Sequence, residues 1–410
     1  MSYRSVSCAG SVLLLALVTQ AATPRPEKSP GRTAVENLGS EPLRRGVAWL
    51  VRAQLPSGGW GQGEEAQTMG QSANPSLRDL ANVADTSIAA LALIRAGNSP
   101  RSGEHRAAVA KAVEFVASEI ERSDRNSLYV TSARGTRVQA KLGTYIDTFL
   151  AATLLAEVKG KMPDETANRR VTRALDAVME KIERNQLANG TWDNQGWAPV
   201  LAQSMAAKAI NRAAQAGATV DEKVRTKAEV YARDQFDKRT GGFKEEGSAG
   251  VALYSSAGNL GAMQDSDDTN RVKERELRGR LERASNEEER RKVRGEIDRI
   301  AGNRRDLNAA RSAVVGRLAD ARFVQGFGSN GGDEYLSYMN IGESLAAGGG
   351  EEWQRWNRSI NDNLERVQNQ DGSWTGHHCI TGRTFCTSAA LLVLTLGGDN
   401  APIASRLPRR

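Results

Sequence analysis

Apolar residues recur at steps of three and four along much of this chain, the spacing that places them on one face of an α-helix. In the segment VTRALDAVMEKIERN this spacing joins Ala174, Val178 and Ile182, with charged residues on the opposite face. The segments LRRGVAWLVRA and WNRSINDNLERV have the same pattern. We predict that each forms an amphipathic helix with its apolar face against the rest of the protein.

A second class of segment is rich in Ala, Ser and Thr and has apolar residues on all sides, which is typical of a buried helix. Each follows a more charged segment, so we predict six pairs, each with a charged outer helix and a buried inner helix. The second outer helix is predicted to begin near His105 and the fifth near Ala309. The inner segments are ADTSIAALAL from Ala84, IDTFLAATLL from Ile146, AQSMAAKAI from Ala202, GVALYSSAGNL from Gly250, IGESLAAG from Ile341 and FCTSAALLVL from Phe385.

Helix pairs of this kind cannot bury their apolar faces alone and must stack on neighbouring pairs. Six such pairs can close into a ring, with the buried helices inside and the charged helices outside. The sequence therefore predicts an all-α fold, an α6/α6 toroid, over residues 41–400, with a tail at residues 401–410.

One motif, Gln-x-x-x-Gly-x-Trp, occurs three times, each time at the end of a predicted outer helix. The glycine permits a tight turn, the glutamine can bond backbone groups at the helix end, and the tryptophan supplies a large apolar surface. Looser copies run from Gln235 to Phe243 and from Phe323 to Gly332. The three full copies contain Gln54, Gly58 and Trp60; Gln186, Gly190 and Trp192; and Gln368, Gly372 and Trp374.

The stretch from about Asp265 to Asn308 interrupts this repeat. It holds thirteen Lys or Arg, twelve Asp or Glu and no aromatic residue. Ser285 and Glu288 match a capping box, and the apolar residues lie at the spacing of a helix–helix seam. We predict a helical hairpin inserted between the fourth inner and fifth outer helices, as a solvated projection. Its seam residues are Leu277, Leu281, Ala284, Val293, Ile297 and Ile300.

The first 22 residues have the layout of a signal peptide, with Arg4, an apolar run from Val12 to Val18 and small residues up to Ala22. The run is too short to span a bilayer, and Cys8 precedes it, which argues against a lipid anchor. Residues 23–40 contain three of the eleven prolines and are predicted to form a flexible lead-in. We expect export to the periplasm or outside the cell, without a membrane span.

The net charge of the chain limits the classes of partner that we expect. Removal of Arg4 with the signal peptide lowers the formal net charge from +7 to +6. Such a small charge on so long a chain provides no basic stripe, so nucleic acid is not an expected partner. A small molecule, a glycan or a protein remains open as the partner.

The repeated motif resembles the QW motif of squalene and oxidosqualene cyclases, and the GGW and GGF sequences before inner helices resemble the repeats of protein prenyltransferase β subunits. The resemblance covers most of residues 40–400. It implies the α/α-toroid fold of that superfamily, with a reactive centre lined by the beginnings of the inner helices. Because the motif lies on the outer layer, it indicates the fold and not the chemistry.

The acid motif of squalene-hopene cyclases, Asp-x-Asp-Asp, has a match in the segment DSDD, which contains Asp265, Asp267 and Asp268. In that family the motif precedes an apolar helix, whereas here it is predicted to open the charged insertion. Cyclases also surround their carbocation with aromatic rings, and this chain is only 5% aromatic. Terpene cyclisation is therefore disfavoured.

The zinc site of the prenyltransferases uses an Asp, a Cys two residues later and a His. Here Phe149 lies where that cysteine would follow Asp147, and Cys386 lies in the position of the histidine. The resemblance therefore does not extend to that site. A divalent metal such as zinc remains an open possibility elsewhere, and no cofactor is predicted.

The densest chemistry lies in GHHCITGRTFC, which holds His377, His378, Cys379 and Cys386. In an oxidising compartment the two cysteines could form a disulfide if their Cα atoms come within about 7 Å. A metal site drawn from these four residues is the alternative. With the cysteines bridged, the histidines could still serve as acid–base groups.

The inner-helix starts place Asp85, Asp147, Gln203, Glu343 and Cys386 at comparable positions. Together they would form an acidic cup at one mouth of the ring, with carboxylates for general acid–base catalysis. The alternative is that each carboxylate caps the first turn of a helix.

Three functions follow from these alternatives. The first is a secreted binding or scaffold module that uses its central cavity. The second is an exported enzyme that acts on polysaccharide with paired carboxylates. The third is a divergent isoprenoid cyclase or transferase.

Overall fold

The computed structural model describes residues 39–66, 74–328 and 330–397. The predicted signal peptide, nearly all of the lead-in and the 401–410 tail lie outside these residues. The described part is all-α, with fifteen helices and one antiparallel pair of two-residue strands, β1 (Phe236–Asp237) and β2 (Gly242–Phe243). Within it, every helix is too short or too polar to cross a membrane.

Two kinds of helix alternate along the chain, as the hydrophobic pattern predicts. The outer helices bury one face: in α7, Val171, Leu175, Val178 and Ile182 are buried beside exposed charged residues. The outer helices are α1 (Glu41–Arg52), α4 (Arg106–Arg122), α7 (Glu165–Arg184), α9 (Glu222–Asp234), α11 (Glu287–Arg317) and α14 (Gly350–Arg366).

The inner helices are buried on nearly all sides, except where the fourth continues beyond Asn270, and every residue of Ile146–Val158 is buried. Their many alanines and serines let the helix axes approach closely. The inner helices are α3 (Val83–Arg95), α6 (Ile146–Val158), α8 (Pro199–Gln215), α10 (Ala252–Arg283), α13 (Gly332–Gly348) and α15 (Arg383–Leu394). Short helices α2 (Pro75–Arg78), α5 (Arg137–Leu142) and α12 (Ala321–Gln325) lie in the connections.

Each inner helix packs on the next, and the last packs on the first. The contacts run from α3 to α6, α8, α10, α13 and α15, and α15 returns to α3. Each outer helix packs on the inner helix that precedes it in the ring, so that α4, α7, α9, α11, α14 and α1 pack on α3, α6, α8, α10, α13 and α15 in turn. The hydrophobic core is therefore one continuous cluster that includes residues from all six inner helices.

The three repeated motifs tie neighbouring outer helices together. The side-chain amide of Gln54 donates to the carbonyl oxygen of Gly58 at 2.8 Å and to that of Ala108, in α4, at 2.9 Å. Gln186 bonds to Val224 of α9 at 2.9 Å in the same way. Gln368 bonds to Pro42 of α1 at 2.8 Å. The third motif therefore joins the last outer helix to the first.

The tryptophan and glycine of each motif stabilise the same contact between neighbouring outer helices. Trp374 is fully buried, and its indole N–H donates to the carbonyl of Leu364 at the end of its own outer helix. Gly372 has φ +95°, and a Cβ there would lie 2.6 Å from the carbonyl oxygen of Arg45. A side chain is therefore excluded by both conformation and space.

The predicted charged hairpin differs in form from the one in the structure. The fourth inner helix continues without a break through Asp265 to Arg283, and the fifth outer helix begins at Glu287, not near Ala309. Asn286, not Ser285, caps the second limb, because its side chain accepts the N–H of Glu289. The insertion thus lengthens two helices of the repeat. Leu277, Val293 and Ile300 form its small buried cluster, with Leu281 and Ile297 packed against it.

The fifth inner helix begins at Gly332, nine residues before the predicted start at Ile341. Its first turn contains Asp333 and Glu334, both fully buried. The earlier start changes which acidic side chains lie at the amino-terminal end of the inner helices.

Candidate functional site

Five polar side chains from three elements meet at the amino-terminal ends of α10 and α13. Tyr254 lies in the first turn of α10, and Asp333 and Glu334 lie in the first turn of α13. His378 and Cys379 lie in the loop that precedes α15. All but Cys379, which is half-buried, are at least 95% buried.

A continuous set of polar contacts joins these groups. The Tyr254 hydroxyl donates to Oδ2 of Asp333 at 3.1 Å and also contacts Oε1 of Glu334. The second carboxylate oxygen of Glu334 lies 3.1 Å from Nε2 of His378. On the other side of the imidazole, Nδ1 of His378 lies 3.7 Å from Oδ2 of Asp333.

Asp333, His378 and Cys379 together have the geometry of a metal-ligand set. One ligand atom from each can be chosen so that all three lie within 4.8 Å of one another. Both ring nitrogens of His378, Oδ1 of Asp333 and Oε2 of Glu334 are buried and have no hydrogen bond of good geometry among the described residues. Carboxylate, imidazole and thiolate are the three ligand types that zinc takes from proteins.

Two glycines of the 323–332 segment pack directly against the imidazole. A Cβ at Gly328 would lie 2.5 Å from Cδ2 of His378, and one at Gly331 would lie 2.8 Å from Cε1. A Cβ at Gly331 would also lie 2.7 Å from Oε2 of Glu334. The segment predicted as a decayed copy of the repeated motif therefore forms a wall of this site.

Cys379 is one of two non-glycine residues with a positive φ in the described chain, at +50°. Such a conformation costs about 1–3 kcal/mol and is found preferentially at functional sites. Here it follows directly on His378, so the strained residue belongs to the ligand set itself.

Burial and mutual charge shift the pKa values of these groups. Burial raises the pKa of Asp333 well above its usual range, and the charge of Glu334 adds to the effect. Burial acts to lower the pKa of His378, but the adjacent carboxylate of Glu334 outweighs this, so the net shift is upward. Burial, aided by the charge of Asp333, raises the pKa of the Cys379 thiol to about 12. Without a metal the thiol is therefore protonated at neutral pH and is a poor nucleophile.

The possible disulfide between Cys379 and Cys386 is not formed in the structure, where both are free thiols. The Cys386 thiol is buried and donates to the carbonyl of Ile380 at 3.3 Å, which directs it away from a bridge. His377 is exposed at the surface, unlike its neighbour His378. Of the four candidates in this loop, the structure brings His378 and Cys379 to the site.

Asp85 and Asp147 lie close together at the starts of α3 and α6, and each carboxylate accepts hydrogen bonds from neighbouring protein groups. Asp147 accepts the backbone N–H of Ala84 and the side chain of Gln139, both at 2.9 Å. Asp85 is bonded to Asn82 at 2.7 Å. Burial raises the pKa of Asp85 to about 7 and that of Asp147 to about 6. In this arrangement Asp147 caps the neighbouring helix α3.

Glu343 does not belong to the predicted acidic cup, because its helix begins at Gly332 and Glu343 lies near the opposite end. Its carboxylate pairs with Lys208 of α8. Lys208 and Arg212 in turn contact Asp265 at 2.8 and 3.0 Å. Gln203 carries an amide and adds no charge to the cup. Its side-chain oxygen accepts the backbone N–H of Trp192 at 3.3 Å.

The DSDD motif takes part in this buried ion network, in the middle of α10 and not at a helix start. Asp267 pairs with Arg271 at 2.7 Å and with Arg304 at 2.8 Å. Burial raises the pKa of Asp268 to about 7. Asp265 thus serves as a partner for the buried cations Lys208 and Arg212, and Asp267 as a partner for two partly exposed arginines.

Aromatic rings adjoin the metal-ligand set on one side. The ring of Phe327 lies 5.2 Å from that of His378 and 5.1 Å from that of Trp197. Phe327 is 42% exposed, and its backbone N–H donates to Glu334 at 3.0 Å. The ammonium of Lys141 lies 5.7 Å from the centre of the Trp197 ring. Solvent therefore reaches this side of the site across an aromatic surface.

Tyr254, Asp333 and Glu334 were missed as site residues by the sequence reasoning. The pair Asp333–Glu334 directly follows two glycines, Gly331 and Gly332, and this Gly-Gly-Asp-Glu sequence is a possible helix start. Reading it as such would have placed two acids at the same level as Asp85.

Comparison with known proteins assigns no relative. The chain matches no protein-family model, and no curated protein matches it by sequence.

Proposed function

We propose that this protein binds zinc through Asp333, His378 and Cys379 and uses the metal to bind a small ligand. The observation that carries the proposal is the convergence of three ligand types, with Nδ1 of His378 and Oδ1 of Asp333 buried and without a hydrogen-bond partner in the described part of the chain. Leaving such atoms without a partner is costly, and coordination to a cation removes that cost. Zinc suits a mixed oxygen, nitrogen and sulfur set better than calcium or magnesium, which prefer oxygen.

The surroundings of His378 support coordination through Nδ1. A metal-bound histidine commonly donates its other ring N–H to a carboxylate, which fixes the orientation of the ring. Oε2 of Glu334, 3.1 Å from Nε2, is placed to accept that proton. Tyr254 holds the carboxylates of both Asp333 and Glu334, so the ligand set is braced before a metal arrives.

Three protein ligands leave one position of a tetrahedral zinc ion for a water molecule or a ligand. Structural zinc sites use four protein ligands, whereas binding and catalytic sites keep this position open. The half-buried Cys379 and the exposed Phe327 lie on the side from which a ligand can approach.

The fold proposed for this function is the α6/α6 toroid. Its support is the cyclic order of contacts among the six inner helices and the bond from Gln368 to Pro42, which links the last outer helix to the first. Kinship with the cyclase and prenyltransferase superfamily remains a proposal based on the repeated motif. Export remains a proposal based on the first 22 residues.

A zinc-dependent hydrolase is the second candidate function. The open coordination position favours it, because a zinc-bound water is acidified and becomes a nucleophile near neutral pH. Hydrolysis of p-nitrophenyl esters that requires added zinc and is lost in Asp333→Asn would support this candidate. Stoichiometric zinc binding with no such hydrolysis would support the binding function alone.

Metal titration of the full chain tests the proposal. We expect one zinc per chain, and cobalt in its place should give the intense visible bands of a tetrahedral site with a sulfur ligand. Asp333→Asn, His378→Ala and Cys379→Ser should each weaken binding strongly. The matched controls are His377→Ala, at the exposed neighbour, and Cys386→Ser, at the thiol bonded to Ile380. No stoichiometric zinc, or equal effects of test and control variants, would contradict the proposal.

A further inference from the structure

The side of the metal-ligand set that faces solvent carries a lysine among aromatic rings. Lys141 lies at the end of α5, half-buried, with its ammonium over the ring of Trp197. Two backbone bonds fix this position: the N–H of Trp197 donates to Ala140 at 3.2 Å, and that of Ala198 donates to Lys141 at 2.7 Å. The side chain of Lys141 has no carboxylate partner among the residues that the structure describes.

Ring contacts connect Lys141 to the metal ligands. Trp197 lies 5.1 Å from Phe327, and Phe327 lies 5.2 Å from His378. The ring of Trp197 also lies 6.1 Å from that of Tyr254, whose hydroxyl donates to Asp333. The lysine, the aromatic surface and the open side of the ligand set therefore border one site.

We propose that the ligand of this site is a carboxylate with an aromatic or other flat apolar group, held between the metal and Lys141 on the surface formed by Trp197 and Phe327. This inference rests on the proposed zinc site. It adds the chemical class of the ligand, which the metal ligands alone do not define.

A single positive charge on the open side of the site suits a monoanion. The carboxylate of Asp333 and the thiolate of Cys379 would neutralise the two charges of zinc, whereas the carboxylate of Glu334 lies at Nε2, on the opposite edge of the imidazole from Nδ1. Lys141 then provides a single positive charge, a compact donor without the forked geometry of arginine. One oxygen of a carboxylate can bind zinc while the other accepts from the ammonium. The exposed ring of Phe327 supplies the apolar contact.

Calorimetry on the zinc-loaded full chain tests the inference with benzoate, with benzyl alcohol, which keeps the ring without the charge, and with acetate, which keeps the charge without the ring. We expect benzoate to bind at least 10-fold more tightly than either. Lys141→Met should remove the preference for benzoate over the alcohol, and Lys141→Arg should restore part of it. Phe327→Ala should weaken benzoate and leave acetate unchanged.

Lys111→Met, at an exposed lysine of α4, is the matched control and should keep the preference. A zinc titration of each variant separates the two proposals. If zinc binds but benzoate shows no advantage, or if Lys141→Met keeps the advantage, the carboxylate inference is wrong and the zinc site stands. If zinc does not bind to the unsubstituted chain, the proposed function itself fails.

Discussion

The ammonium of Lys208 lies 2.8 Å from Oδ2 of Asp265, and both side chains are almost completely buried between inner helices. Lys208 also pairs with Glu343 of α13, so one cation holds acids from two helices. The charges of both acids keep the pKa of Lys208 raised despite the opposing effect of burial. This pairing explains how an inner helix tolerates Asp265, the first acid of the DSDD motif.

Replacing Lys208 by Met leaves two buried carboxylates with less compensation. We expect a loss of about 3–5 kcal/mol in the free energy of unfolding, as for other broken buried pairs. Lys238→Met is the matched control, because Lys238 is 65% exposed and its pair with Asp306 contributes about 0–1 kcal/mol. Urea denaturation of both variants measures the difference. Equal losses would show that the buried network is not a major source of stability.

The contact between Glu334 and His378 predicts that zinc affinity can be lowered without removing any of the three proposed metal ligands. Glu334→Gln keeps the shape of the side chain and removes the charge that orients the imidazole. Zinc affinity should fall by about 10–100-fold, which is typical for such partners of ligands. Competition with a chelator measures it, with Glu352→Gln, on exposed Glu352 of α14, as the control. An unchanged affinity would mean that Nε2 does not rely on Glu334.

Gly331 provides a steric test of the same site. Gly331→Ala would place a methyl group 2.7 Å from Glu334 and 2.8 Å from His378, so the imidazole must shift. We expect a clear loss of zinc affinity, whereas Gly295→Ala should have none, because a Cβ at Gly295, in the middle of α11, contacts nothing within 4 Å. The helical content of both variants, measured by circular dichroism, should match that of the unsubstituted protein. Full affinity in Gly331→Ala would contradict the packing described here.

The raised pKa of Asp85 predicts a pH dependence of stability. Between about pH 4 and pH 7 the folded protein keeps a proton on Asp85 that the unfolded chain has released. Stability is therefore greatest below that range and falls as the pH rises through it. Each unit of pKa shift corresponds to about 1.4 kcal/mol, so Asp85→Asn should lessen this fall by roughly 2–4 kcal/mol. Denaturation at pH 4.5 and 7.5 tests it, and exposed Asp176→Asn should leave the fall unchanged.

Two glycines with similar backbone angles separate conformation from close packing. Gly372 has φ +95° and abuts Arg45, whereas Gly160 has φ +75° and open space around its Cβ position. Gly160→Ala should cost about 1–2 kcal/mol from the left-handed conformation alone. Gly372→Ala should cost roughly 2 kcal/mol more, since the outer helices must move apart. Similar losses in the two variants would show that the contact with Arg45 is not tight.

The alternation of outer and inner helices could be predicted from the sequence because apolar periodicity shows directly which helix faces are buried. The predicted helix boundaries were wrong where polar residues are buried. Asp333 and Glu334 are fully buried at the start of α13, and the pattern gave no reason to extend an apolar helix over them. The sequence predicts a helix start at Asp265 because the cation that pairs with it, Lys208, lies 57 positions away on another helix.

The candidate site was predicted in part for a similar reason. His378 and Cys379 were found because they are rare residues close together in the sequence. Tyr254 and Asp333 are 79 residues apart, and only the packing of α10 on α13 brings them into contact. The residue types in the sequence were enough to identify the loop with His378 and Cys379. The residues that contact it could be identified only from the fold.

The hydrogen bond between Gln368 and Pro42 connects residues that are 326 positions apart in the sequence. Its neighbour Gly46 lies against Trp374 and Leu391, where a Cβ would be 2.6 and 2.8 Å from their atoms. On a ribosome that adds 5–20 residues per second, α1 would wait roughly 16–65 s before its partners emerge. During that time the apolar face of α1 lacks its native partners and is exposed on the nascent chain.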